Sequence, residues 1–213
     1  MTLEQALRGR RSIRKYQPRP VDDALLRQLL DEARWSPSWA NTQPWTIWVV
    51  RGETLARLRA KLQVRTQSEA PGAPDLTMPA RDAWPEEMRE RTARLRSAIA
   101  ASPTTPAPAG SSDFFGAPCV VFVAIDERVP AQYQCFDVGL WVQSLCLAAH
   151  EHGLGTCIMA MAVRQPDLLR ELLPRTEGKR FAIGVALGYP EPAPINDFPR
   201  ERASLDELVT WVD

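Results

Sequence analysis

Apolar residues along the chain follow two periods, and each period predicts its own elements. Leu25, Leu26, Leu29, Leu30 and Ala33 share one side of a 3.6-residue repeat, so a helix is expected there, with Asp22 as its cap and Pro37 ending it. "TIWVV", ending at Val50, is a short unbroken apolar run after a turn and reads as a buried strand. A helix from about Glu53 to Val64 follows. "CVVFVAID", Cys119 to Asp126, is the strongest strand signal. From Tyr133 to His152 apolar residues occupy most faces of a long helix, which predicts a central, buried element ended by Gly153. "GTCIMAM" reads as a short strand or an extended loop, Pro166 opens a helix to about Leu173, and "RFAIGVALGYP" is a further strand ending in a turn. Thr2 with Gln5, and Ser204 with Glu207, form capping-box patterns. The first predicts a helix to about Arg8 and the second a C-terminal helix to Val212. Helices and strands mix without strict βαβ alternation, so the expected fold class is α+β, with helices packed around one sheet.

Residues 65–113 break the pattern. They are rich in Pro, Ala, Ser and Arg and too poor in apolar residues for a core of their own. Pro85 can open a helix in which Met88, Leu95 and Ile99 share a face, and "SPTTPAPAGSSD" after it is low-complexity. The expected organisation is one domain over 1–213 with an insertion or lid at about 65–113. Trp84 and Met88 are candidates to line a site there, or to pack within the insertion.

Bulk composition narrows the function classes. Lysine plus arginine and aspartate plus glutamate number 26 each, so net charge is zero. That balance argues against a nucleic-acid partner held by general electrostatics. No apolar run reaches a membrane span, and the N-terminus lacks the apolar core of a signal peptide, so a cytoplasmic protein with no membrane partner is expected. The four cysteines show no C-x-x-C spacing and read as buried thiols. His150 and His152 fall on different sides of a helix, which speaks against a metal held by both.

Four segments can carry chemistry. "RGRRSIRKY" places Arg10, Arg11, Ser12 and Arg14 where a helix gives way to a loop. It is either a solvated basic helix end or a phosphate-binding set, since guanidinium forks and a hydroxyl suit a phosphate. "SPSWANTQPW" sets Ser38, Asn41 and Gln43 among tryptophans, with Pro44 pushing Gln43 toward an extended backbone. Its amides either read a planar ring edge or simply hold a loop whose rings close the core. "GLGTCIMAM" begins like a dinucleotide fingerprint, but it ends a helix instead of opening one and has Ile158 at the third glycine position. That reading is rejected. "PRERASLDELVTW" brings Arg200 and Arg202 to the start of a capped helix, as solubilising charges or as ligands.

Taken together and in this order, these segments resemble the nitroreductase family of FMN-dependent oxidoreductases. The match brackets the chain except for 65–113. The resemblance implies a central, mostly antiparallel sheet surrounded by helices, in an interlocked homodimer with FMN at the interface. It implies that Arg10, Ser12 and Arg202 hold the phosphate, with Arg11 and Arg200 close by, and that Arg14 reaches the N1/O2 edge of the flavin. Ser38, Trp39 and Asn41 would line the flavin or its ribityl chain. The backbone of Cys157, Ile158, Met159 and Ala160 would face the ring, with an N–H near Met159 toward N5. The implied reaction is ping-pong reduction of a small nitroaromatic or quinone-like acceptor by NAD(P)H, with no acid or base side chain required and no metal. The alternatives are a same-fold dehydrogenase, dehalogenase or flavin-consuming oxygenase, and a non-catalytic flavin-binding protein. Many relatives have a small residue at the Trp39 position, so this ring is expected to influence which acceptors fit.

Overall fold

The structure is a computed structural model, and it describes residues 1–68, 71–77, 80–102 and 110–212. Most of the low-complexity stretch, 103–109, lies outside these residues. Four strands form one sheet: β1 (Thr46–Arg51), β2 (Cys119–Asp126), β3 (Gly155–Met159) and β4 (Lys179–Gly188). Their spatial order is β1-β2-β4-β3, and every neighbouring pair is antiparallel. The α+β expectation holds.

β2 is apolar along its length because helices cover both its faces. Val120, Phe122 and Ala124 pack with Leu55, Leu58 and Leu62 of α3 (Gly52–Gln67) and with Leu168 and Leu169 of α6 (Pro166–Leu172). Val121, Val123 and Ile125 pack on the opposite face with Leu26 and Leu29 of α2 (Asp23–Ala33) and with Val138, Trp141 and Leu145 of α5 (Ala131–Glu151). The β2–β4 register steps from Val123↔Ile183 to Ala124↔Phe181, so Ala182 is an extra residue in β4. This bulge re-phases the strand. Phe181 and Ala186 therefore reach the same core although they stand five positions apart, an odd step that would otherwise place them on opposite faces.

Local signals gave the helix starts. Thr2 accepts from the Gln5 N–H at 3.2 Å and caps α1 (Leu3–Gly9), while Asp22 accepts from the Ala24 N–H at 2.8 Å to cap α2. Gly153 takes φ +73° and ends α5, its N–H donating to the His150 carbonyl at 3.1 Å.

Three expectations are corrected. β1 is an edge strand in which Thr46 to Val49 are half-buried and Val50 alone is fully buried. α5 is buried on one face only, since the sheet and α2 meet that face alone. Tyr133 and Phe136 on its other side are 64% and 67% exposed. The C-terminal helix α8 covers Leu205–Leu208 and stops at Val209, whose backbone is extended. Its capping box is intact, but Val209, Thr210 and Val212 are β-branched and exposed, so no packing offsets their weak helix preference.

Acid sensitivity has a definite source in this frame. The Asp126 carboxylate at the end of β2 accepts from Arg128 Nε at 2.9 Å, Arg128 Nη2 at 2.8 Å, the Arg128 N–H at 3.0 Å and Lys179 Nζ at 3.2 Å. Its side-chain bonds to Arg128 hold its pKa far below the usual carboxylate value. A depressed folded pKa contributes stability above the unfolded value of about 3.9, and that contribution is lost as pH falls through the folded value. Asp126→Asn is therefore expected to lower Tm at neutral pH. The gap to wild type should close between about pH 5 and pH 2 in thermal melts.

Candidate functional site

After α1 the chain becomes extended. Ser12 forms a bridge to Thr156 of β3, and the Ile13 N–H donates to the Thr156 carbonyl at 2.9 Å. A Cβ on Gly155 would come within 2.4 Å of Ile13, so glycine lets this segment lie directly on β3. Ile13 is buried in the core. Extended backbone alternates its side chains, so Arg10, Ser12 and Arg14 emerge together on the other side.

The C-terminal segment clamps this loop. Asn196 of the short helix α7 (Pro194–Asp197) accepts from the Arg14 N–H at 2.8 Å, and its Nδ2 donates to the carbonyls of Lys15 and Glu191, each at 2.8 Å. The Arg14 guanidinium stands 5.4 Å from the centre of the Phe198 ring. Arg11 turns away from the cleft, pairing with Asp197 at 3.4 Å and donating to the Phe198 carbonyl. Arg200 donates to the Arg8 carbonyl at 2.6 Å and to the Arg10 carbonyl. Arg11 and Arg200 thus hold protein to protein.

Arg10, Ser12, Arg14, Arg200 and Arg202 line a cleft of about 810 Å³. The opposite wall is α4 (Glu86–Ala100), with Arg91, Thr92, Arg94, Leu95 and Ala98. Trp84 and Met88 do not line it. Burial, followed by the nearby charges of Arg11, Arg10 and Arg202, lowers the Arg200 pKa. Burial, then Arg10 and Arg200, lowers that of His150. Like charges crowded this way favour an anion among them. A phosphate monoester fits the donor set: guanidinium groups, the Ser12 hydroxyl and no carboxylate on the wall formed by residues 10–14.

Cys157 adjoins this loop, its thiol hydrogen-bonded to the Ser12 side chain and pushed up to about 11 chiefly by burial. It stays a neutral thiol. Met159 is buried, Ile158 in the edge strand β3 and Ala160 just after it are exposed, and none of Cys157 to Ala160 lines the cleft of the single chain.

The structure does not bring Ser38, Trp39 and Asn41 to this cleft. The Trp39 N–H donates to both carboxylate oxygens of Asp137, each at 3.2 Å, near the start of α5. Gly9, beside Arg10, packs instead on His150 near the end of α5. The step of 13 positions along α5 from Asp137 to His150 puts the two groups roughly 20 Å apart. Ala40, Asn41 and Gln43 all have positive φ, at 49°, 57° and 47°. Gln43 is therefore left-handed and not extended as Pro44 suggested. Its N–H donates to Ser38 Oγ at 2.9 Å, and its Nε2 folds back to Asn41 Oδ1 at 3.1 Å. Sequence reading missed Asn196, Phe198 and Asp137, because each acts through a partner far along the chain. Nothing local in the "PIND" stretch marks these contacts.

An antiparallel sheet wrapped by helices, with an arginine-lined cleft beside its edge strand, defines an α+β protein equipped for an anionic ligand. The nitroreductase family model matches residues 7–189, and the chain belongs to that family. It is 31% identical to a 4-nitrobenzoate reductase of Pseudomonas putida, over 94% of this chain and 92% of the relative. It is similarly 31% identical to nitroreductase NfnB of Mycolicibacterium smegmatis, over 98% of this chain and 92% of that one. Among solved structures, an FMN- and NADPH-dependent nitroreductase NfnB from Sphigopyxis sp. strain HMH superposes with a TM-score of 0.91 at 28% identity, covering 100% of both chains.

Proposed function

We propose that this chain is an FMN-dependent oxidoreductase that reduces nitroaromatic acceptors with NAD(P)H. The observation that carries the reading is the arginine and serine wall at positions 10, 12 and 14, in a chain whose relatives are nitroreductases. Arg10, Ser12 and Arg202 would hold the FMN phosphate. Arg14, fixed by Asn196 and Phe198, would stand at the flavin edge. Bound FMN supplies the hydride chemistry. The protein supplies orientation and a fixed positive charge, which favours added negative charge on the ring. The neutral Cys157 thiol takes no part as a nucleophile.

The roughly 20 Å between the two groups of site residues supports a homodimer in which Ser38, Trp39 and Asn41 come from the partner subunit. Exposed apolar side chains support the same reading: Trp39 is 65% exposed, beside Tyr133 at 5.1 Å, and Trp211 is 79% exposed. Among the described residues no helix is long and apolar enough to cross a membrane, and no group of three His, Cys, Asp or Glu could hold a metal. The 65–113 segment serves as a cover within one domain, through α4.

Purified protein is expected to be yellow, to bleach with NAD(P)H and to recover its colour with a nitroarene. Light scattering with flavin quantitation should give a dimer carrying two FMN. Colourless protein that cannot be reconstituted overturns the flavin reading. A monomer that holds FMN normally overturns the shared site.

A further inference from the structure

We infer that α4 carries a second anion subsite, in which Arg91 and Arg94 recognise an oxyanion group on the reactant that meets the flavin. The inference rests on the flavin reading above. Arg91, Arg94, Leu95 and Ala98 stand at i, i+3, i+4 and i+7, so one face of α4 turns two guanidinium groups and an apolar strip into the cleft. That face suits a flat or ribose-bearing molecule with a negatively charged end.

Charge supports it. Among the described residues the cleft is lined by Arg10, Arg14, Arg91, Arg94, Arg200 and Arg202, against the carboxylates of Glu201 and Glu207. A flavin phosphate brings nearly two negative charges. Filled with it, the cleft still holds an excess of about two positive charges, which a second anionic group would balance.

The α4 arginines are also free to re-pair. Arg91 meets Glu207 Oε2 at 3.2 Å, and Arg94 meets Glu201 at 3.4 Å and Glu90 at 3.8 Å. All these side chains are more than a third exposed, and such surface pairs hold weakly. Glu207 is meanwhile engaged at its other oxygen by the Ser204 N–H at 3.1 Å, closing the α8 cap. Arg11 and Arg200, by contrast, are fixed on backbone carbonyls.

Two reactants can bring the oxyanion: a nicotinamide donor through a 2′-phosphate, or a nitroarene through a carboxylate. A guanidinium fork accepts either. The test uses flavin-loaded protein and the double variant Arg91→Gln/Arg94→Gln. Bound flavin is quantified, binding of the unreactive pair 2′,5′-ADP and 5′-ADP is measured by calorimetry, and KM is compared for NADPH against NADH and for 4-nitrobenzoate against its methyl ester. Flavin content should not change. If the donor supplies the oxyanion, 2′,5′-ADP binding weakens and KM for NADPH rises, each about ten-fold or more, while 5′-ADP and NADH change less than about two-fold. If the acceptor supplies it, the same split appears between 4-nitrobenzoate and its ester. Equal effects within both pairs overturn the proposal, as does loss of flavin from the variant, which would put these arginines on the cofactor phosphate. Wild-type protein that cannot hold flavin overturns the earlier reading as well, so the two failures are distinct.

Discussion

Arg14→Ala is expected to strip most of the flavin from the protein and to make the remainder harder to reduce. The side chain is held by three neighbours: Asn196 fixes its backbone N–H, Phe198 lies under its guanidinium, and its Nη1 reaches the Ser12 carbonyl at 3.4 Å. A hydrogen bond to a charged group contributes roughly 1.5–3 kcal/mol, so the FMN dissociation constant should rise about ten- to a hundred-fold. With Arg14 at the flavin edge, as proposed above, its removal takes away a fixed positive charge and disfavours the reduced form. The midpoint potential should fall by about 30 mV for each 1.4 kcal/mol lost, for a two-electron couple. Arg202→Ala is the control. Arg202 lines the cleft, with its Nη1 donating to the Glu201 carbonyl at 2.7 Å. In the phosphate-holding role proposed above, its loss should weaken FMN retention and leave the potential nearly unchanged. Equal shifts of potential in the two variants, read by equilibrium dye titration, would show that the proposed division of roles is wrong.

Trp141→Ala should cause the largest loss of stability. Trp141 is fully buried between the sheet and α2, with its ring 6.4 Å from that of Trp45. Emptying such a site costs about 3–5 kcal/mol. In a chain of this size that corresponds to a Tm lower by about 6–20 °C. Trp141→Phe should behave quite differently. The indole Nε1 is buried and has no hydrogen-bond partner among the described residues, so phenylalanine removes a polar atom left unpaired while keeping most of the apolar contact. A loss below about 1.5 kcal/mol is expected for it. Melts at matched protein concentration check both, since dimer formation would make Tm depend on concentration. A phenylalanine variant as unstable as the alanine one would mean that the indole N–H is satisfied after all.

Much of this fold can be read from short stretches. Thr2 with Gln5 and Ser204 with Glu207 close their capping boxes within four residues, and the β2 run is apolar because both its faces are covered. Arg10, Ser12 and Arg14 share a face because extended backbone alternates. Such features depend on a few consecutive residues, and so does the spacing that reveals the family. Longer-range features were not legible. The lengths of α5's buried face and of α8 depend on which surfaces meet a neighbour, and local pattern does not encode that. Asn196 carries no local signal, because its side chain reaches a loop more than 180 positions earlier. The α4 arginines stand out only once the helix is placed across the cleft.

By itself, then, the sequence determined the element types, the α+β class, the family and the residue kinds suited to a phosphate, since each follows from local periodicity, capping and spacing. Only the tertiary structure decided that Arg11 and Arg200 brace the protein, that Ser38, Trp39 and Asn41 stand at the far end of α5 from Arg10, and that α4 supplies one wall of the cleft. These outcomes depend on contacts between residues distant in the chain, and such contacts are chosen by packing of the whole core rather than by any one segment.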